Sequence, residues 1–259
     1  MRRAGRPALF LLAQICSALL GAREGAGQDS TAVPRQLAID TSRVRPFQHA
    51  YDMIVRRGDS TAVIGERDVT LASATYAGAP AWLLTETRTG LVPSSDSLFL
   101  SLQFRPVHWS STQGLARLGL EFVGDSILGA VTAPMGKQNV LMRGGGALLP
   151  SSAFVDAVLT LIPLTFGWTD SVTVASVDVS SHALRAAEVA VIGDEALATD
   201  SATTRPVWVV ALRSDSSHVL YWVDKDDASV LRVLQSLPTH IGGDLEFRIR
   251  PPPPVIPAP

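Results

Sequence analysis

The dominant period along this chain is two. Leu98, Leu100, Leu102 and Phe104 alternate with Ser97, Phe99, Ser101, Gln103 and Arg105, and Leu245, Phe247 and Ile249 alternate with Asp244, Glu246, Arg248 and Arg250. Such alternation sets one face of a strand on a core and the other in water, as in antiparallel sheets. Further strand-like runs cover 50–57, 61–72, 80–88, 115–123, 126–132, 171–179, 186–193, 206–213, 218–224 and 229–235. Turn residues separate them at Gly58-Asp59-Ser60, Gly78-Ala79-Pro80, Gly124-Asp125, Asp215-Ser216 and Asp224 to Asp227. This spacing, with no internal repeat, predicts a mostly β fold: an antiparallel meander that curls into a sandwich or a half-open barrel.

One segment departs from the period. After Gly144-Gly145-Gly146, Ser151 or Ser152 is placed to cap a helix over about 153–163. Phe154, Val155, Val158, Leu159 and Ile162 fall on one helical stripe, Asp156 and Thr160 share the opposite side, and Pro163 marks the end. A competing alternation (Asp156, Val158, Thr160, Ile162) keeps a strand as the alternative. A helix this apolar has to pack against the sheet, and the concave face of a curved sheet is where it would sit as a plug.

The first 27 residues read as a secretory signal. Arg2, Arg3 and Arg6 form a positive start, Ala8 to Ala22 an apolar stretch, and Gly25-Ala26-Gly27 a small-residue cleavage site. The apolar stretch is shorter than the roughly 20 residues a spanning helix needs, and Gln14 and Ser17 interrupt it. No later segment is long and apolar enough to span. Cys16, the one cysteine, lies inside the stretch and lacks the flanking residues of a lipoprotein signal. Cleavage after Gly27 leaves a cysteine-free chain, without disulfides or thiol chemistry, and takes the formal net charge from −2 to −5. A mildly acidic domain lacks the basic footprint of a nucleic-acid binder. Residues 28–48 read as a loosely ordered polar lead-in, 49–250 as the β-rich domain, and the prolines of 251–259 as an extended tail. The expected location is the periplasm or the exterior.

Catalytic motifs are missing from the pattern. His49, His108, His182, His218 and His240 are isolated in sequence and form no metal-binding pair. No Gly-x-Ser-x-Gly elbow occurs, Gly136-Lys137-Gln138 is not a phosphate loop, and Gly144 to Gly146 reads as a hinge. Asp224, Asp226 and Asp227 are the best metal candidate, but they lack the glycine and glutamate of an EF-hand loop and read as a solvated hairpin turn, with weak calcium binding left open. No cofactor, metal or catalytic residue is therefore expected. The large aromatic surface lies on Trp82, Trp109, Trp168, Trp208 and Trp222, whose ordinary role is core packing with the indole N–H bonded to an acceptor. If an apolar pocket exists, Trp82, Trp109, Phe154, Trp168 and Trp222 are the expected liners.

With these elements in order, the chain resembles a family of exported bacterial domains of unknown function, grouped by fold with the lipoprotein carriers LolA and LolB. The resemblance rests on Gly58 with Ile64-Gly65-Glu66, Phe154-Val155-Asp156, Gly167-Trp168, Val191-Ile192-Gly193-Asp194-Glu195, Trp208, Tyr221-Trp222-Val223-Asp224-Lys225-Asp226 and Leu231-Arg232-Val233, across roughly residues 50–250. Thr203-Thr204-Arg205-Pro206 departs from the family's usual turn. The resemblance implies a curved antiparallel sheet wrapped around a helix and, by analogy, an apolar cavity. The expected function is a non-enzymatic binding module for lipid or another hydrophobic ligand. The alternative is a structural or assembly component of the envelope, with an envelope protein as partner and the helix filling the concavity.

Overall fold

The computed structural model describes residues 37–90, 93–143, 152–177, 182–199, 203–214, 217–237 and 241–251. Residues 1–36, with the stretch expected to be a signal, the glycine run 144–146, Ser151, Asp215-Ser216, His240 and the end of the proline tail lie outside the described residues. Fourteen strands follow the short 3-10 turn Thr41–Arg43: β1 (Phe47–Arg57), β2 (Ser60–Tyr76), β3 (Ala79–Arg88), β4 (Ser94–Leu100), β5 (Pro106–Gln113), β6 (Ala116–Val123), β7 (Ser126–Ala133) and β8 (Gly136–Arg143). After the helix α1 (Ser152–Leu159) come β9 (Thr169–Val177), β10 (His182–Ala198), β11 (Thr204–Ser214), β12 (Ser217–Asp224), β13 (Val230–Ser236) and β14 (Asp244–Ile249).

All fourteen strands join one antiparallel sheet in the order β8-β7-β6-β5-β4-β3-β2-β1-β14-β13-β12-β11-β10-β9. Two meanders thus meet at the β1–β14 pair, where Tyr51 faces Ile249 and Met53 faces Phe247. The sheet is not closed, since β8 and β9 are its two edges. It curls far enough that β8 approaches β10, and the inner faces of both meanders share one apolar cluster with α1. This is the expected curved sheet around a short helix, although the helix ends at Leu159 rather than near Pro163.

Local chemistry sets the turns and the strand ends. The β2–β3 hairpin turns on Ala77 and Gly78, both with positive φ (49° and 82°), the backbone that a two-residue hairpin turn requires. β5 and β8 were not anticipated. β5 (PVHWSSTQ) starts with proline and is mostly polar, and β8 (GKQNVLMR) turns only Val140 and Met142 into the core. The apparent strand 97–105 ends at Leu100. Beyond it Leu102 is exposed and Phe104 adopts a left-handed φ of 61°, which swings its buried ring onto Phe154 of α1 at a centroid distance of 5.9 Å.

Three other expectations are corrected. The lead-in is packed, not loose, from residue 37: Leu37 and Val44 are buried, and Asp40 N–H donates to Leu161 O at 3.0 Å. Glu246 does not face water although it lies on the outward side of β14. It is fully buried beneath Arg56, Arg232 and Arg248, the nearest contacts being 2.9 Å. Asp224 does lead into the expected hairpin turn, but it too is buried. It accepts from the Asp226 and Asp227 amides at 2.7 and 3.1 Å and pairs with Arg205 Nε at 2.7 Å.

One glycine pair sets a close approach. A Cβ on Gly65 would sit 2.1 Å from Thr89 O, and one on Gly90 (φ 96°) 2.1 Å from Ile64 O. Both obstacles are backbone, so neither can step aside. Gly65→Ala should therefore force β2 from the β3–β4 connection and lower stability by about 2–3 kcal/mol, measured as a fall in the thermal midpoint.

Candidate functional site

Strand parity builds a polar patch on the concave face. Trp82 and Leu84 of β3 turn inward, so Glu86 and Arg88 do too. Val69 and Leu71 of β2 set the same direction for Arg67, which pairs in register with Tyr51 on one side and Arg88 on the other. The result is a charged cluster inside an apolar barrel. Arg67 is 1% exposed, Glu86 1% and Asp156 4%, values that mark charges removed from water.

These groups bind the helix. Arg67 Nη1 lies 2.6 Å from Asp156 Oδ2 at the middle of α1, while Arg67 Nε donates to Glu86 Oε1 at 2.8 Å. Glu86 caps the helix start from the sheet: its Oε2 accepts from the Ala153 amide at 3.1 Å and from Ser152 Oγ at 3.0 Å. A carboxylate at that position also suits the positive end of the helix dipole. Arg88 completes the set, donating through Nε to Glu86 at 2.6 Å and through Nη2 to Ser152 Oγ at 2.6 Å. The Arg67 guanidinium lies over the Tyr51 and Phe247 rings, 5.2 and 5.1 Å from their centroids, adding cation–π attraction. Arg67 Nη2 and Asp156 Oδ1 are buried without a hydrogen-bond partner among the described residues.

The two carboxylates respond in opposite directions. Burial pushes Glu86 up, but the Arg67 and Arg88 guanidiniums outweigh it and hold the group well below the usual carboxylate range. Burial also pushes Asp156 up, and Arg67 only partly opposes it while Glu86 repels, leaving its pKa raised to about 6. The short Arg67–Asp156 contact and the raised Asp156 pKa are compatible because Arg67 is shared with Glu86, whereas Asp156 has this one close cation. Burial likewise raises the phenols of Tyr51 and Tyr221, whose shifts also carry the charge of Asp156. Asp156, expected on the polar side of α1, is thus an interior latch. The helix has no solvent side, for all seven residues Ala153–Leu159 are buried.

The aromatic residues anticipated as liners divide between two places. Trp109 and Phe154 are buried in the main cluster, and Trp82 and Trp168 pack against it. Trp222 lies on the other face of the sheet in a separate cluster with Val207 and Leu231, its Nε1 donating to Glu195 at 2.6 Å and its ring beneath Arg232. Trp109 Nε1, by contrast, is buried with no partner among the described residues. None of the liners marked Arg67, Glu86, Arg88 or Asp156, although alternation from Trp82, Leu84, Val69 and Leu71 carried that signal.

A second feature lies at the end of the sheet where α1 finishes. An open groove of about 780 Å³ runs between the start of β1, the end of β14 and the β12–β13 turn, with Thr160 on its wall. Among the described residues no group of three or more histidines, cysteines or carboxylates is placed to hold a metal ion, and no helix is long and apolar enough to cross a membrane.

The chain is a β-barrel-like protein with an open sheet and an internal helix. Its fold is similar to the crystal structure of a β-barrel-like protein of the domain of unknown function DUF1849 from Brucella abortus, with a TM-score of 0.50 and 10% identity over 84% of this chain and 98% of that one. At that identity the likeness concerns the fold alone. No family model matches the sequence, and no curated protein does.

Proposed function

We propose that this chain is a non-enzymatic binding module, exported to the periplasm or beyond, that holds a lipid or another hydrophobic molecule in the space α1 occupies. The observation that carries this reading is the polar latch between α1 and the sheet. A helix that only filled the interior would need no ions there, because a buried ion pair seldom stabilises more than apolar packing of the same volume. A few discrete polar bonds instead define a seated state and a released one. Burying an acyl chain contributes about 0.8 kcal/mol per CH₂, so a dozen methylenes give roughly 10 kcal/mol to offset the loss of helix contacts. The N-terminal signal pattern and the resemblance to the LolA and LolB carriers support the same reading by analogy.

A second reading, a structural component of the envelope, draws on the complete burial of Ala153–Leu159. Native mass spectrometry and organic extraction of the purified protein separate the two. The carrier reading expects lipid-sized adducts or uptake of added oleate. A clean apo mass with no oleate uptake would favour the structural component.

A further inference from the structure

We infer that the groove at the C-terminal end of α1 is an oxyanion site that takes the phosphate or carboxylate head of an amphiphile. Four arginines line it (Arg43, Arg45, Arg205 and Arg250) against one carboxylate, Asp227. Two of the four are already more than balanced by carboxylates. Arg205 pairs with Asp224 and Asp227, and Arg250 pairs with Glu66 at 2.8 Å and lies 3.8 Å from Asp52 and Asp68.

Arg43 and Arg45 are different. Neither forms an ion pair among the described residues, although the Asp40 carboxylate lies close enough to Arg43 to feel its charge. Arg45 Nη1 donates to the Ser42 and Val44 carbonyls at 2.7 and 2.8 Å, and Arg43 Nη1 makes only a long 3.5 Å contact with Ile162 O. A guanidinium carries five N–H donors in a fork that fits phosphate and carboxylate oxygens, so most of the donors of both residues are unused. The 3-10 turn Thr41–Arg43, with Asp40 accepting from the Ser42 amide at 3.1 Å, and the buried Val44 hold the backbone of this pair in place.

The floor is amphiphilic. Phe47 and His49 stack at 4.7 Å, and Ile249 lies beside them. Burial keeps His49 below the usual imidazole pKa, so it is neutral at pH 7 and the positive charge belongs to the arginines. A headgroup bound here would stand at the mouth of the barrel, next to the end of α1, with its chain directed at the latched interior. Assigning the oxyanion to a headgroup rests on the carrier reading; the oxyanion site itself does not.

Isothermal titration of the whole protein at low ionic strength tests this with three probes: inorganic phosphate, dihexanoylphosphatidic acid and dihexanoylphosphatidylcholine. Phosphate and the phosphatidic acid should bind, and Arg43→Gln/Arg45→Gln should weaken both about tenfold or more. Arg117→Gln/Lys137→Gln removes the same charge from exposed residues elsewhere and should change them less than about twofold. Phosphatidic acid binding at least about tenfold tighter than phosphate assigns the site to a headgroup, and equal affinity assigns it to a free oxyanion; both outcomes support the site. No phosphate binding, equal losses in the two double variants, or phosphatidylcholine binding as tightly as phosphatidic acid would overturn it. Because phosphate needs no displacement of α1, phosphate binding without oleate uptake would sink the carrier reading and leave the oxyanion site standing.

Discussion

Arg67→Ala is expected to destabilise the protein by about 3–5 kcal/mol. The change leaves Asp156 without its one close cation and takes one of two guanidiniums from Glu86, both more than nine-tenths buried. It also removes the cation held over the Tyr51 and Phe247 rings. The double substitution Arg67→Met/Asp156→Leu should recover most of the loss, since Glu86 keeps Arg88, Ser152 and the Ala153 amide and no lone charge stays behind. Urea unfolding of the two variants gives the comparison. If the double variant is as unstable as the single one, the pair is structural packing that methionine and leucine cannot replace, and the latch account loses its basis.

The second large effect is on pH dependence, and its sign is unusual for an aspartate. A carboxylate held by a salt bridge normally has a depressed pKa and stabilises the fold above its unfolded value. Asp156 is raised from 3.8 to about 6 by burial, so the folded state with α1 seated takes up the proton more readily than a state in which Asp156 meets water. Its contribution is therefore fully present below 3.8 and is lost as pH rises through about 6. At ~1.4 kcal/mol per tenfold change in proton affinity the loss amounts to about 3 kcal/mol. Asp96, also raised to about 6 by burial and by Glu86, acts in the same direction. Glu86 opposes both at lower pH: its depressed pKa gives stability that is present above its unfolded value near 4.5 and lost as pH falls. His49, lowered by burial, also opposes them, its contribution growing as pH rises toward 6.5. The two raised aspartates outweigh it, so between pH 4.5 and 7 the helix should be held more tightly on the acid side. Asp156→Asn should flatten that dependence by removing about half of it, as read from the urea midpoint across the window. A midpoint that climbs from pH 4.5 to 7 in the wild type would contradict the assignment.

Much of this arrangement was written in the alternation of residues. Period two located twelve of the strands, and the apolar stripe at Phe154, Val155, Val158 and Leu159 located the helix. The latch was legible as well, because the inward parity set by Trp82 and Leu84 extends to Glu86 and Arg88, and that of Val69 and Leu71 extends to Arg67. What hid it was the habit of assigning charges to the wet face, which holds only where one face is wet. Asp156 lies opposite the apolar stripe, yet that side of the helix is buried as well. Glu246 failed the same way, since Arg56, Arg232 and Arg248 close over it from neighbouring strands, a cross-strand fact that no single run of sequence contains. β5 and β8 were hidden because a strand paired on both sides or at an edge needs few inward apolar residues, and Trp109, Val140 and Met142 sufficed. The groove was invisible for a related reason: it joins Arg43 and Arg45 to residues about 160 to 200 positions away through the β1–β14 pairing.

Hydrogen exchange of the α1 amides, with and without saturating oleate, bears most directly on the claim that the helix is a latched plug. Without ligand the amides of residues 155–159 should exchange as slowly as those of the paired strands. With oleate they should exchange at least about tenfold faster, as expected when a local unit opens while the rest of the fold stays closed, and the β1, β2 and β14 amides should keep their protection. Helix amides that stay protected while oleate is bound, or that open only together with the sheet, would contradict it.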